Sequence, residues 1–244
     1  MINDFLYDNP EFYEVVFPPR GKSEFCMRIF EKYSTETPSS ILDIGCGTGR
    51  DLADFSKHYP DCVGFDAAQS MVSYAKKKNP ELNVFTGDMR SFRLSRTFDV
   101  ICALGGCMNF ALSNEDLDAT FKTYQSHAHK GSLLLLQPLN PSDYFGEFRV
   151  PKNFFMPYND SMAVGEMSYK LLKLQQVVER TRTWTVEGQN ETFNDSMSYR
   201  IIFPAEISYF LNQNGFDVLD IFESDGSASY ANKSMYVVAR YNGC

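Results

Sequence analysis

A chain of 244 residues with 43% hydrophobic and 22% charged residues can bury a substantial core, which excludes the disordered and fibrous classes. Its 23 basic and 31 acidic residues give a net charge of −8, which argues against nucleic acid or an anionic membrane as the main partner and leaves small molecules. The first residues, MINDFLYDNPEFYE, show no basic or apolar signal region, and the longest strongly apolar run, Leu133 to Leu136, is too short to cross a bilayer. A cytoplasmic protein acting as a monomer or homodimer is expected. Six cysteines carry no CxxC pair and no histidine at metal spacing, so reduced, mostly buried thiols and no metal site are expected.

Strand-length apolar runs alternate with helix-period segments from Ser40 to Gln137, the pattern of a doubly wound parallel α/β sheet. The predicted strands are Ile41 to Ile44, Cys62 to Phe65, Val84 to Thr86, Val100 to Leu104 and Ser132 to Gln137. Helices are predicted near Arg50 to His58, Ser70 to Lys78 and Glu115 to His129. After Pro138 the rhythm changes, and SYKLLKLQQVVERTRTWTVEGQNETFNDSMSYRIIF reads as long β segments meeting at a turn near EGQN. An antiparallel cover over 139–202, inserted in a single 1–244 domain, is expected. ERTRTW within it reads as a strand with a solvated face, and Trp184 and Tyr199 as pocket-lining or packing residues, with packing favoured for Trp184. PAEISYFLNQNGF predicts a helix ending at Gly215, followed by strands near Asp217 to Phe222 and Ser234 to Arg240.

The first strand ends in the carboxylate Asp43 and opens into Gly45, Cys46, Gly47, Thr48 and Gly49, a loop that lets a ligand touch bare backbone at a helix N-terminus. A dinucleotide and S-adenosylmethionine compete for such a loop. Beside a pyrophosphate the charge of Asp43 would be repulsive, and beside a cationic methionyl group it would be attractive. The spacing GxGxG, not GxGxxG, agrees with the second ligand. Asp66, at the end of the second strand, can accept both ribose hydroxyls, and Asp88, after the third, lies where an adenine edge would fall. Standing alone, each of the three could be a cap or turn residue. Three carboxylates at the ends of three successive strands form a constellation.

The segments LDIGCGTG, GFDAAQSM, GDMRSFRL and FDVICALGGCMNF together resemble the class I S-adenosylmethionine-dependent methyltransferases. FYEVVFPPRGKSEF, LQPLNPSDYF and YRIIFPAEISYFLNQNGF resemble more narrowly the bacterial N-methyltransferases that dimethylate amino sugars in secondary metabolism. The resemblance implies a Rossmann-like methyltransferase sheet with S-adenosyl-L-methionine as cofactor. By the same resemblance Tyr13 closes over the methionyl end, Arg20 pairs with its carboxylate, Asp66 holds the ribose, Asp88 and Met89 the adenine, and Leu104 with Gly105 the methionyl amine. Gly45, Cys46, Gly47, Ala67, Met71 and Gly87 complete the implied cofactor set, and the segment Gly106, Cys107, Met108 and Asn109 falls where such enzymes meet substrate.

Methyl transfer is an in-line displacement in which the protein aligns nucleophile, methyl and sulfur and excludes water. A neutral amine needs no strong base, because it sheds its proton to water before docking. His58, His127 and His129 accordingly read as structural, the last two in the final turn of a helix. Tyr13 is the first candidate for a catalytic proton acceptor and Tyr144 the second. Orientation of the small-molecule acceptor is expected from Asn109, Gln137 and Asn140, with Tyr144, Phe145, Phe154 or Phe155 from the cover. The alternatives are an O- or C-methyltransferase on the same scaffold, a nicotinamide-dependent oxidoreductase, and a cofactor-binding sensor without turnover.

Overall fold

A computed structural model of the chain describes residues 5–18, 22–145, 153–158, 161–188, 192–223 and 235–243. It begins with two short helices, α1 (Phe5–Asp8) and α2 (Pro10–Val16), and a longer one, α3 (Lys22–Tyr33), none of which the sequence reading anticipated. Proline at the first position of α2 costs no hydrogen bond, because that N–H has no partner within a helix in any case. Then come β1 (Ser40–Ile44), α4 (Arg50–Phe55), β2 (Asp61–Asp66), α5 (Gln69–Lys78), β3 (Asn83–Thr86) and β4 (Phe98–Ala103). A short 3-10 turn, Cys107–Phe110, leads to α6 (Asn114–Ser126), whose N-cap Ser113 accepts the Asp116 N–H, and to β5 (Ala128–Leu136).

The remaining elements are α7 (Ser142–Phe145), β6 (Asn153–Tyr158), β7 (Ser161–Leu172), β8 (Val177–Val186), β9 (Thr192–Arg200), α8 (Pro204–Gln213), β10 (Phe216–Glu223) and β11 (Met235–Tyr241). One sheet has the order β10-β11-β5-β4-β1-β2-β3, and a second has the order β6-β7-β8-β9. In the first sheet β1 to β5 are parallel, and β11 runs antiparallel against both β5 and β10. The second sheet is antiparallel throughout.

Strands buried on both faces explain the continuous apolar runs. Leu42, Ile101 and Leu134 face α6 and α8 through Phe121, Tyr124, Ile207 and Leu211. Ile41, Val100 and Leu133, one residue out of phase, face α3 through Cys26, Ile29 and Phe30. Asp43 shares the parity of Ile41, so it lies on the α3 side of β1. No helix among the described residues is long and apolar enough to cross a membrane.

Three expectations are corrected. The helix predicted to Glu115–His129 ends at Ser126, because Ala128 already pairs with Phe98 in the sheet and His129 belongs to β5. His127 is buried, with Nδ1 on the Thr123 carbonyl and Nε2 accepting the Leu94 N–H; burial holds its pKa below the ordinary value, so it carries no helix-end charge. The long β segments are broken not only near EGQN but also at Lys173–Gln176, where Gln176 adopts a φ of 54°. ERTRTW has the expected outward face in Glu179, Thr181 and Thr183, but Arg182 and Trp184 on its other face are buried. Arg182 is 3% exposed, and its Nε donates to both oxygens of Asp195, which also accepts the Trp184 indole N–H at 3.0 Å. Trp184 packs edge-on against Phe12 at 5.1 Å, as the packing alternative had it.

Candidate active site

β1 has β2 on one side and β4 on the other, so the chain switches direction across the sheet at the C-terminal end of β1 and leaves a crevice there. A cavity of about 560 Å³ occupies this crevice, within the range of small-molecule sites. Its floor is the glycine loop, with Gly45 at φ 73°, Gly47 at φ 55° and Gly49 at φ 73°. A Cβ on Gly45 would lie 2.6 Å from the Cys107 Cβ, so glycine is required there by space as well as by conformation.

Twelve of the fourteen residues implied for the cofactor line this cavity: Tyr13, Asp43, Gly45, Cys46, Gly47, Asp66, Ala67, Gly87, Asp88, Met89, Leu104 and Gly105. Met71 is fully buried on the inner face of α5 and does not reach the wall; its side chain is spent on packing. Arg20 lies outside the described residues.

The three carboxylates differ in environment. Asp43 is 2% exposed; burial, with Asp51 and Asp66 nearby and Lys22 opposing them, pushes its pKa up to about 7. Asp66 uses Oδ2 to accept the Gly47 N–H and Oδ1 to accept the Ala68 N–H, both at 2.8 Å, so it ties the glycine loop to the start of α5. Burial raises its pKa against the pull of those two donors. Asp88 is clamped by Arg90, whose Nε donates to Oδ1 at 2.9 Å and whose backbone N–H donates to the same oxygen at 2.8 Å, the turn role considered for it. Hydrogen bonding from Arg90 lowers the Asp88 pKa, and the same guanidinium reaches Asp116 at 3.0 Å. A carboxylate has lone pairs beyond those Arg90 uses, so a ligand amino group still finds an acceptor there.

Sequence reasoning did not single out several cavity residues. Lys22 opens α3 with its ammonium 2.5 Å from Asp51; burial works against its charge, but Asp51 overrides that and holds its pKa above the ordinary value. Tyr7, Asp8, Arg50, Phe110 and Leu112 also line the wall, as does Cys107 of the segment expected to meet substrate. The signal for Lys22 was its place two residues after Arg20, and for Asp51 its place one residue into the helix after the glycine loop.

Tyr13 lines the wall with a phenol raised above its ordinary pKa by burial. It is therefore neutral near pH 7 and offers a donor and an aromatic face, not a base. The five residues expected to orient the acceptor stand elsewhere. Met108 belongs to the core beneath the sheet. Asn109 is fully buried, donating to the Arg200 carbonyl at 2.7 Å and accepting the Leu139 N–H at 2.9 Å. Gln137 accepts the Gly105 N–H through Oε1 and donates to the Tyr236 hydroxyl, so it shapes the wall from behind. Asn140 donates to Glu223 at 2.6 Å, and Tyr144 packs edge-on against Tyr199. Phe155 is 67% exposed, and the side chains of Phe145 and Phe154 lie outside the described residues. Among the described residues, none from β6 to β9 lines the cavity; α1 and α2 lie between the cover and the crevice.

A floor of left-handed glycines with open space above Gly47, and a wall carrying Asp43, Asp66 and Asp88, fits a ligand that combines a cationic end with a ribose and an adenine. Comparison with known proteins agrees. The family described as Methyltransferase domain matches residues 41–131. The dTDP-3-amino-3,4,6-trideoxy-alpha-D-glucopyranose N,N-dimethyltransferase of Streptomyces venezuelae is 30% identical over 135 residues, which are 54% of this chain and 57% of that protein. The chain thus spans little more than half of that relative's length. The dTDP-4-amino-2,3,4,6-tetradeoxy-D-glucose N,N-dimethyltransferase of Saccharopolyspora spinosa is 24% identical over 89% of this chain and 81% of its own. An amino pentose methyltransferase from Micromonospora echinaspora, solved with bound S-adenosylmethionine, shares the fold with a TM-score of 0.79 at 19% identity, over 95% of each chain. The matched domain, the relatives and the strand order make this chain similar to the class I S-adenosylmethionine-dependent methyltransferases, whose fold it shares.

Proposed function

We propose that the protein transfers a methyl group from S-adenosylmethionine to a nitrogen of a small molecule, with an amino sugar as the acceptor class. The carrying observation is Asp43, a carboxylate whose pKa burial, with Asp51 and Asp66 nearby, pushes up to about 7 and which a cationic ligand would stabilise in its charged form. When bound, S-adenosylmethionine supplies a methyl carbon activated by positively charged sulfur. On this reading Asp43 faces the methionyl end, Asp66 accepts the ribose hydroxyls, and Asp88 with Met89 borders the adenine. Lys22, held by Asp51 beside Gly105, offers its ammonium to the carboxylate. Tyr13 and Tyr7 close the cavity against water.

An amine acceptor is favoured over a hydroxyl or carbon acid by the state of the wall. Tyr13 is a neutral phenol, and burial keeps the thiols of Cys46 and Cys107 protonated, so none of these three is present as an ionised base for an alcohol or an enol. The amino sugar class rests on the relatives, which act on dTDP-linked amino sugars. We read 1–244 as one domain with 139–202 as its cover. The setting we propose is the cytoplasm and secondary metabolism, without nucleic acid as partner, supported by the free thiols of the five described cysteines and the acidic charge.

Two measurements test this. Calorimetric titration should show binding of S-adenosylmethionine and none of a nicotinamide dinucleotide. Labelled methyl should then appear on amines from a panel that includes dTDP-amino sugars, phenols and carbon acids; turnover confined to the latter two would reject the nitrogen assignment.

A further inference from the structure

The helices α1 and α2 are fastened to the molecule in two chemically different ways. Toward the cover the fastening is apolar: Leu6 and Phe12 are buried with Ala163, Trp184 and Val186, and Phe5 stacks on Phe193 at 4.4 Å. Toward the sheet and the glycine loop it is largely polar, although Tyr7 also rests on Phe110 with ring centroids 6.2 Å apart. Glu14 is the centre of the polar side. Its Oε1 accepts the Thr48 hydroxyl at 2.5 Å and lies 3.2 Å from the Arg50 Nε, and its Oε2 accepts from the Lys78 ammonium at 2.9 Å. One carboxylate, 15% exposed, thus gathers the glycine loop, the first residue of α4 and the last residue of α5. The Ser70 hydroxyl donates to the Tyr7 carbonyl at 2.5 Å, and Arg50 donates to the carbonyl of Phe17.

Apolar contact of this extent is lost only by exposing the whole area to water, whereas ion pairs and hydrogen bonds can be exchanged for water at small net cost. The seam between α1–α2 and the sheet is therefore the one that opens. It runs along the cavity, where Tyr7, Asp8 and Tyr13 form the wall on the α1–α2 side. Glu14 itself does not line the cavity.

We propose that Glu14 is a positioning residue: it latches α1–α2 onto the glycine loop, so that Tyr13 is held over the cofactor, and its release lets the two helices swing away with the cover during cofactor exchange. The proposal rests on the cofactor reading above for its ligand, but its mechanical part does not.

The test compares the full-length wild type with Glu14→Gln and Glu14→Asp. Three quantities are read: amide exchange over 10–16 without ligand, the dissociation rate of S-adenosylhomocysteine, and the melting temperature. Loss of charge-assisted contacts in Glu14→Gln should speed exchange over 10–16 and ligand dissociation each by about tenfold. Exchange over 161–172 and 177–186 should stay unchanged, the melting temperature should stay within about 2 °C, and Glu14→Asp should recover part of both rates. Wild-type rates in Glu14→Gln would overturn the latch, and so would a fall in melting temperature with faster exchange across the whole chain, the mark of a purely structural carboxylate. If the wild type fails to hold S-adenosylhomocysteine or S-adenosylmethionine while α2 still loosens in Glu14→Gln, the latch stands and the cofactor reading falls.

Discussion

On the proposed reading, Asp43 couples ligand charge to pH. Its pKa in the ligand-free fold is about 7, against about 3.9 for an unperturbed aspartate. A cation prefers the ionised form, so affinity for S-adenosylmethionine should rise with pH up to about 7 and level off above it. Asp43→Asn should weaken binding by about tenfold or more at pH 8 and flatten the pH dependence, both readable by calorimetry. The same shift has the opposite sign for stability. Between the unfolded and folded pKa values the native state holds a proton that the unfolded chain has released, so stability falls as pH rises through this window and stays low above it. Ligand-free Asp43→Asn should therefore melt above wild type at pH 8, by about 2 °C or more, with the gap closing toward pH 4. Asp43 and Asp66 were legible because a strand end and a glycine loop fix where their side chains point. Asn109 and Gln137 were misread for a related reason: a carboxamide at a strand end serves a neighbouring backbone group as readily as a substrate, and the sequence does not say which. Lys22 was passed over because its partner, Asp51, comes from another helix that only the packing brings near.

At the scale of elements, β1 to β5 were readable because double-sided burial writes itself as unbroken apolar runs, and boundaries moved by only a few residues. The turn at Lys173–Gln176 was not, since it contains neither glycine nor proline and is made by a left-handed glutamine. α1 and α2 were missed because four and seven residues are too few for a periodicity to show. In the cover the alternation of charges in ERTRTW concealed a buried ion pair. Removing one partner of such a pair leaves the other charge stranded, at a cost of about 3–5 kcal/mol. Asp195→Asn should accordingly lower the melting temperature by several degrees, whereas Arg182→Leu combined with Asp195→Leu should recover most of that loss. In the glycine loop, Gly45→Ala places a methyl against Cys107 at a φ that disfavours side chains, so it should abolish cofactor binding in calorimetry even where circular dichroism still shows a folded chain.

Over the whole molecule, the net charge of −8 recurs inside the cavity, whose walls carry Asp8, Asp43, Asp51, Asp66, Asp88 and Asp116 against Lys22, Arg50 and Arg90. Raising salt from about 0.1 M to about 1 M shortens the screening distance from about 10 Å to about 3 Å. Release of S-adenosylhomocysteine should accelerate over that range in the wild type and far less in Glu14→Gln, because the contacts that salt weakens at Glu14 are already gone. The absence of any described β6–β9 residue from the cavity wall carries a further consequence for how such proteins diversify. On the proposed reading the described residues that hold the methyl donor all lie outside 139–202, so the cover can change in sequence without altering them. A chimera that grafts a relative's 139–202 onto this scaffold should keep the parent's donor affinity in calorimetry where Ala163, Trp184 and Val186, which carry α1–α2, are retained, and lose part of it where they are replaced.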